Sequence, residues 1–310
     1  MKDKYITPIS CCEINCQPEE RLIVNRDFLH LFSSIPNLSF ATFFENNKGE
    51  VIKEIQGRTV SRITIPFEKE EQISDNIGIS ENGEYFYIKK HFQQFNSLQT
   101  ILSLLKLSQL ESEGIREFNN YCLFRSNEIA TAIPVAAGEK YLTRNKVESF
   151  VITKSYSPLS DIEALVLNTP EVLSGPSNIN KRKNILRSVG QFARYMHNCG
   201  LNHKDFNANH VLIDDVTREK LTVALFDLQR VDTNKLYRFK WAIKALAEFN
   251  YTLPASIFTN EDRRFLFCSY LGRRRLTLLD KIQWLLIRHK TDRIAKHSAK
   301  RGLAPKMNFD

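Results

Sequence analysis

The stretch from residue 201 to residue 213 reads Leu-Asn-His-Lys-Asp-Phe-Asn-Ala-Asn-His-Val-Leu-Ile, and a second hydrophobic segment runs into Phe226-Asp-Leu228. The polar part of the first stretch lies between a predicted helix and a predicted strand, which would put Asp205 at the edge of a cleft. Asp227 directly follows the other strand. Two carboxylates at strand edges suit a base and a magnesium ligand, as phosphoryl transfer requires. The alternative is that each aspartate only caps a turn.

Upstream and downstream of this stretch, the hydrophobic pattern predicts two lobes that meet near residue 155. Strands are predicted before that point at Leu38–Phe44, Val51–Gln56, Val60–Ile65, Tyr85–Lys90, Ile133–Ala137 and Ser149–Thr153. A loop is predicted at Glu68–Glu84, and two helical pieces within Ser97–Arg125, broken near Gly114. After residue 156 the pattern predicts helices at Asp161–Leu167, Ile179–Asn198, Lys240–Phe249 and Asn260–Leu271, with short strands at Val211–Ile213 and Leu221–Phe226. The predicted fold class is α+β, with a mainly β lobe at 1–155 and a mainly α lobe at 156–310.

The composition excludes several other classes of protein. The 310 residues are 42% hydrophobic and 25% charged, which is typical of a soluble globular chain and not of a disordered or low-complexity one. No apolar run approaches the roughly 20 residues of a membrane-spanning helix, and no apolar segment of a secretory signal follows the N-terminus. The six cysteines lack metal-site spacing, so we expect free thiols in a cytosolic protein.

The net charge of +9 is concentrated at the C-terminal end. Residues 272–310 contain eleven Lys or Arg residues and three Asp residues, a net charge of +8. The same region contains the apolar, Trp284-bearing pattern of residues 276–287, which favours an interface with anionic lipid. A solvated basic helix packed on the core is the alternative. Nucleic acid is not expected as a partner, because the region has few aromatic residues and no known binding module.

The order of these motifs resembles that of a known family. His203-Lys-Asp205 followed by Phe226-Asp-Leu228 resembles the paired HRD and DFG motifs of the protein-kinase-like fold. The longer stretches resemble the lipopolysaccharide core kinases, the heptose and Kdo kinases of bacterial lipopolysaccharide. Further similar segments, in the same order, cover roughly residues 50–270: Phe86–His91, Gly114–Phe118, Pro134–Glu139 and Ser149–Thr153. The resemblance implies a two-lobed protein-kinase-like fold.

The resemblance also implies roles for individual residues. Asp205 matches the catalytic base, and Asp227 matches the aspartate that binds magnesium at the phosphates. Lys89 matches the strand lysine that contacts the nucleotide phosphates, and Glu117 matches the helix glutamate that pairs with it. Lys90 is the alternative, but adjacent residues of a strand point to opposite faces, so only one of the two lysines can face the nucleotide. The family's arrangement of an apolar residue, Lys, any residue and His selects Lys89.

Other positions depart from the protein-kinase pattern. His210 stands where protein kinases have a magnesium-binding Asn, so it is a candidate metal ligand, with Asn207 or Asn209 as alternatives. Gly57 is the one glycine in the stretch that matches the phosphate-covering loop. Arg230, near the DFG-like motif, is expected either to meet a substrate phosphate or to form a structural ion pair.

These assignments together predict a kinase that uses ATP and Mg²⁺ to phosphorylate a lipopolysaccharide inner-core sugar, either heptose or Kdo. The expected partners are the lipid A-linked acceptor and the anionic inner face of the inner membrane, where a cytoplasmic enzyme would bind peripherally. A protein or small-molecule kinase of the same fold is one alternative, and a non-catalytic pseudokinase is another. The sequence leaves open the phosphorylated hydroxyl, the oligomeric state and the role of residues 1–50.

Overall fold

A computed structural model describes residues 3–14, 17–45, 49–65, 85–97, 99–100, 105 and 110–302. They divide into two units. The sheet unit contains residues from 7 to 128 and from 132 to 156. The helical unit contains the described residues from 157 onward, together with the segment that ends at Ile6 and residues 129–131. Each unit contains part of the predicted site.

A seven-stranded antiparallel sheet forms the centre of the sheet unit. Its spatial order is β1-β2-β6-β7-β5-β4-β3. The strands are β1 (Cys11–Ile14), β2 (Glu20–Asn25), β3 (Glu50–Ile55), β4 (Arg58–Ile63), β5 (Phe86–Gln94), β6 (Pro134–Thr143) and β7 (Lys146–Lys154). The strands predicted from Val51 onward are confirmed, and β5, β6 and β7 are longer than predicted. The first two strands were not predicted.

The two faces of this sheet bury different clusters. On one face, Phe86 and Ile88 of β5 pack with Phe150, Ile152 and a group of phenylalanines from residues 32–44. The opposite face packs against the helix that starts at Glu113, through Phe118 and Val151. Successive residues of β5 therefore face different layers, as strand geometry requires.

The strand predicted at Leu38–Phe44 is wrong, because residues 40–44 form a short helix. The chain contains α1 (Asp3–Ile6) and then α2 (Phe40–Phe44). Ser39 and Thr42 form a capping box at the start of α2. Phe40, Phe43 and Phe44 are all buried at the i, i+3, i+4 spacing of a helix. Helical burial here overrides the strand propensity of phenylalanine.

Helix α3 (Glu113–Ser126) corresponds to the second of the two pieces predicted within Ser97–Arg125. Ser112 caps its first turn by accepting a hydrogen bond from the Ile115 N–H. Gly114 lets this turn approach β7, because a Cβ at this position would lie 2.5 Å from the Phe150 carbonyl oxygen. Most of the first predicted piece, and the loop predicted at 68–84, lie outside the described residues.

Helices dominate the other unit. Besides α1, they are α4 (Ile162–Asn168), α5 (Ile179–Asn198), α6 (Arg238–Tyr251), α7 (Asn260–Leu271) and α8 (Leu278–Lys300). The helices predicted at Ile179–Asn198 and Asn260–Leu271 are confirmed with the same bounds. Helix α5 packs against α7, and α6 packs against α8. The helical unit thus has a helical core.

Two small sheets hold the polar loops of the helical unit. The strands β8 (Ser160–Asp161), β10 (Val211–Ile213) and β11 (Val223–Leu225) form one sheet. The strands β9 (Asn202–His203) and β12 (Val231–Asp232) form the other. Among the described residues, no helix is long and apolar enough to cross a membrane. A sheet-rich first part and a helical second part confirm the predicted α+β class.

Candidate active site

The sheet unit contains a buried ion pair between β5 and α3. Lys89 Nζ lies 2.7 Å from Glu117 Oε1, and the Glu117 side chain is fully buried while that of Lys89 is 14% exposed. The Tyr121 hydroxyl donates to the same oxygen of Glu117 at 3.1 Å. Burying a carboxylate without partners is costly, and here the lysine and the tyrosine supply those partners. The pair fixes the Lys89 ammonium while leaving part of it accessible.

Lys90 points to the other face of the sheet. Its ammonium lies 5.7 Å from the centre of the Phe44 ring. Burial lowers the pKa of Lys90, because the charged form loses hydration. Of the two adjacent lysines, Lys89 is therefore the one placed beside the α3 glutamate.

Gly57 lies in the two-residue turn of the β3–β4 hairpin, where Ile55 pairs with Arg58. Its φ of +78° favours glycine, and its carbonyl accepts a hydrogen bond from the Phe92 N–H at 2.9 Å. The Arg62 guanidinium lies 5.0 Å from the Tyr85 ring centre and also binds Glu50. The hairpin accounts for the glycine by turn geometry alone, and a role in covering phosphates stays a prediction.

In the helical unit, the loop around Asp205 is tied down at three points. His203 pairs with Val231 across β9 and β12. Phe206 is fully buried against Phe249, with ring centres 5.6 Å apart. The Ala208 N–H donates to Thr252 Oγ1 at 3.0 Å. These anchors hold the loop while the Asp205 side chain remains about one-third exposed.

Arg230 binds the predicted base directly. Its Nη1 donates to Asp205 Oδ1 at 2.9 Å. The backbone supports this contact, because the Lys204 N–H donates to the Arg230 carbonyl at 2.9 Å. Of the two alternatives for Arg230, the structure places it in an ion pair with Asp205.

His203 joins the two predicted carboxylates through the backbone. Its ring is fully buried, and burial lowers its pKa to about 4, so the imidazole is neutral at physiological pH. Nε2–H donates to the Asp227 carbonyl oxygen at 2.8 Å. This bond holds the Asp227 backbone at its φ of +58°, in the left-handed region. It thereby fixes the direction in which the Asp227 side chain leaves the backbone.

His210 connects Asp205 and Asp227 from the other side. Nδ1–H donates to the Asp205 carbonyl oxygen at 2.9 Å, and in the neutral imidazole this leaves the lone pair on Nε2. Nε2 lies 3.8 Å from Asp227 Oδ2. A histidine that donates one ring N–H to a carbonyl is in the tautomer that ligates metals through the other nitrogen.

The donor set fits a divalent cation held partly by phosphate. Asp227 offers hard carboxylate oxygens, and His210 offers one nitrogen. Among the described residues, no group of three or more His, Cys, Asp or Glu side chains is arranged to hold a metal alone. Magnesium in phosphoryl-transfer sites commonly takes one or two carboxylates and fills its shell with substrate phosphates and water. Asn207 Oδ1 accepts from the His210 N–H at 3.1 Å, whereas Asn209 is exposed.

Sequence reasoning missed two contributors to these groups. Tyr121 lies four residues after Glu117 on α3, a spacing that places both side chains on one helix face and could have been noticed. The contact of Arg230 with Asp205 depends on the register of β9 and β12, for which two-residue strands give little sequence signal.

The sheet unit with its lysine–glutamate pair, and the helical unit with its His-x-Asp and Phe-Asp motifs, define a protein-kinase-like fold. Residues 43–270 match the lipopolysaccharide kinase (Kdo/WaaP) family. The chain belongs to this family, and the predicted resemblance is confirmed.

Individual relatives are similar at low identity over most of the chain. The "Lipopolysaccharide core heptose(I) kinase WaaP" of Escherichia coli is 25% identical over 203 residues, which cover 64% of this chain and 69% of the relative. The protein of the same name from Escherichia coli strain K12 is 23% identical, over 82% and 91%. That from Pseudomonas aeruginosa is 22% identical, over 73% and 78%.

A solved structure supports the fold. "WaaP in complex with acyl carrier protein" matches with a TM-score of 0.61 and 20% identity, over 88% of this chain and 99% of that chain. The predicted fold class, a protein-kinase-like α+β fold, is thereby confirmed.

Proposed function

We propose that this chain transfers the γ-phosphate of ATP to a hydroxyl of an inner-core heptose of lipopolysaccharide. Membership of the lipopolysaccharide kinase family supports the reaction class, and the relatives named as heptose(I) kinases support heptose over Kdo. The observation that carries the proposal within this chain is the group formed by Asp205, His210 and Asp227. Arg230 binds the Asp205 carboxylate, the Asp205 carbonyl binds the His210 ring, and His203 binds the Asp227 carbonyl.

Asp205 acts as the base in this proposal. Arg230 occupies Oδ1, so Oδ2 is the oxygen that accepts the proton of the sugar hydroxyl. The guanidinium fixes the rotation of the carboxylate and thereby orients Oδ2. A positioned base of this kind contributes roughly 10²–10⁴-fold to the rate.

Asp227 and the Nε2 atom of His210 would hold a divalent cation, which would neutralise the negative charge of the nucleotide phosphates. The His210 Nδ1–H bond to the Asp205 carbonyl sets the distance between the metal-binding and proton-accepting groups. The Lys89 ammonium, held by Glu117, is assigned to the nucleotide phosphates. Mg²⁺ is the proposed cation, since phosphates and a carboxylate are its preferred ligands.

The acceptor implies a location. A lipid A-linked sugar lies in a membrane leaflet, and ATP is available on the cytoplasmic side. We therefore propose that the protein acts peripherally at the inner face of the inner membrane.

The test is transfer of radiolabelled phosphate from ATP to a panel of defined acceptors. Truncated lipopolysaccharide that ends in heptose should be labelled, whereas a Kdo-only form and a generic protein substrate should not. Labelling of the Kdo-only form alone would move the assignment to Kdo. If nucleotide binds and no acceptor is labelled, the chain is a pseudokinase and the proposal fails.

A further inference from the structure

One face of α8 exposes a ridge of large aliphatic side chains. Their exposed fractions range from 42% to 74%: Leu278, Leu279, Ile282, Leu285 and Leu286. The spacing i, i+1, i+4, i+7, i+8 places all five on one side of a helix. A lone exposed leucine needs no explanation, but five in one ridge do.

The opposite side of the same helix is already used. Gln283 and Ile287 are buried in the helical unit, and Trp284 stacks on Phe267 with ring centres 5.7 Å apart. The tryptophan expected from the sequence at an interface therefore faces inward. Packing against the rest of the unit does not account for the aliphatic ridge.

The exposed face continues toward the C-terminus with basic residues. His289, Arg293, Lys296 and Lys300 follow the ridge at helical spacing, and all four are exposed. This exposed face therefore offers both aliphatic side chains, which can enter the acyl boundary of a bilayer, and basic side chains, which are attracted to anionic headgroups.

A cationic cavity of about 640 Å³ adjoins the start of this helix. Lys183, Arg187, Arg273 and Arg274 line it around the ring of Phe265. Lys183 and Arg187 lie 5.9 and 5.6 Å from the centre of that ring. Within the described part of the chain, no carboxylate pairs with Lys183, Arg187 or Arg274. The cavity therefore offers uncompensated positive charge to an anion.

The cavity wall and the ridge are close in the chain, because Arg274 precedes Leu278 by four residues. Arg273, in the cavity wall, binds Asp280 in the first turn of α8 at 2.6 Å. Asp280 also closes the capping box of Thr277, so the connection between α7 and α8 is fixed.

We propose that this docking surface, made of the aliphatic ridge, the basic half of α8 and the cationic cavity, binds an anionic lipid bilayer. The leucines enter the acyl region, the cavity receives a headgroup phosphate, and the basic half contacts the charged surface. The inference rests on the proposed function, because a lipid-anchored acceptor requires such an approach.

Charge and composition argue for lipid over the other occupants. A second copy of the chain would bring two regions of +8 together. Protein interfaces are enriched in aromatic residues and methionine at their centre, whereas this ridge is entirely leucine and isoleucine. Basic residues are attracted to the negative surface potential of an anionic leaflet.

The experiment is sedimentation of the full chain with vesicles of phosphatidylcholine, with or without anionic phosphatidylglycerol. A basic variant, Arg293→Gln with Lys296→Gln and Lys300→Gln, should lower the partition coefficient by about tenfold or more on anionic vesicles. A ridge variant, Leu279→Ser with Leu285→Ser, should lower it by a similar factor. Both change exposed side chains, and circular dichroism melting verifies the fold.

Matched controls alter the same chemistry elsewhere. Lys53→Gln with Arg144→Gln and Lys146→Gln removes three exposed charges from the sheet unit, and Leu142→Ser with Val51→Ser removes two exposed apolar side chains. Both controls should bind anionic vesicles as wild type does.

If the charge control in the sheet unit loses as much vesicle binding as the basic variant of α8, binding depends only on net charge. That result would overturn the proposal. It is also overturned if the ridge variant binds vesicles normally, including the case where that variant converts a dimer to a monomer. Kinase activity is measured separately on a delipidated acceptor. A ridge or basic variant that loses vesicle binding but keeps activity on the delipidated acceptor reports on docking alone. If the wild-type chain binds vesicles but does not phosphorylate the acceptor, the proposed function fails and the docking proposal stands.

Discussion

At the scale of single residues, Asp205 has one carboxylate oxygen bound by Arg230 and a second assigned to the acceptor. Asp205→Ala should lower the transfer rate by about 10²–10⁴-fold, because it removes the base. Nucleotide affinity and the melting temperature should stay near wild type. Asp215→Ala, which removes an exposed turn aspartate, is the control. Activity within about tenfold of wild type would remove Asp205 from the base role.

His210 gives a second prediction at this scale. Replacing it with Asn exchanges a nitrogen donor for an amide oxygen, which a hard cation prefers. His210→Asn should therefore shift activity toward Mg²⁺ and away from softer divalent metals, as measured by titrating each metal in the transfer assay. His210→Ala should weaken the binding of every metal, so a higher concentration of each metal is needed for half-maximal activity. An unchanged metal profile in both variants would show that Nε2 is not a ligand.

The sequence could assign some of these residues and not others. Lys89, Glu117 and Asp227 stand in motifs with a characteristic order, so their roles were predicted before any contact was known. The family arrangement of an apolar residue, Lys, any residue and His favours Lys89 over Lys90, and the structure places Lys89 beside Glu117 and Lys90 on the other face of β5. The bond from His203 to the Asp227 carbonyl could not be predicted, because it depends on how residues 24 positions apart meet.

At the scale of elements, α3 reaches its place on the sheet only because residue 114 is glycine. Gly114→Ala would push a Cβ into the Phe150 backbone, which is too rigid to yield. Overpacking of this kind costs about 1–3 kcal/mol, so the melting temperature should fall by roughly 2–10 °C. Nucleotide affinity should also fall, because α3 carries Glu117.

The control for this helix is Asn119→Ala, at an exposed position of α3. It should change neither property by much. If Gly114→Ala has the same melting temperature as wild type, α3 does not depend on this close approach.

Long periodic elements were the ones that the sequence predicted well. Helices α5 and α7 were predicted with their exact residue bounds because their buried positions repeat over three turns or more. The five-residue helix α2 was predicted as a strand, since three phenylalanines in seven residues favour a strand when tertiary packing is unknown. The sequence did not predict strands β1 and β2, because each is short and flanked by polar residues.

At the scale of the whole molecule, buried histidines make stability depend on pH. Burial lowers the pKa of His197 and of His203 to about 4, against 6.5 in the unfolded chain. Between pH 6.5 and 4 the unfolded chain therefore binds protons at these histidines and the folded chain does not. The free energy of unfolding is highest above pH 6.5 and decreases as the pH falls toward 4. The loss is on the order of a few kcal/mol per histidine.

Denaturant unfolding at several pH values measures this effect. His197→Gln should flatten the slope of stability against pH between 6.5 and 4, whatever its effect on stability at pH 7. His289→Gln, at an exposed position, should leave the slope unchanged. Equal slopes for wild type and His197→Gln would show that His197 does not resist protonation.

The most direct test of the central claim is the position of the phosphate that this chain adds. The purified protein, ATP and Mg²⁺ are incubated with lipopolysaccharide truncated after the inner-core heptose, and the released core is analysed by phosphorus NMR. The account predicts one new phosphate ester on a heptose hydroxyl with wild-type protein and none with Asp205→Ala. A phosphate on Kdo, or equal yields from wild type and Asp205→Ala, would contradict it.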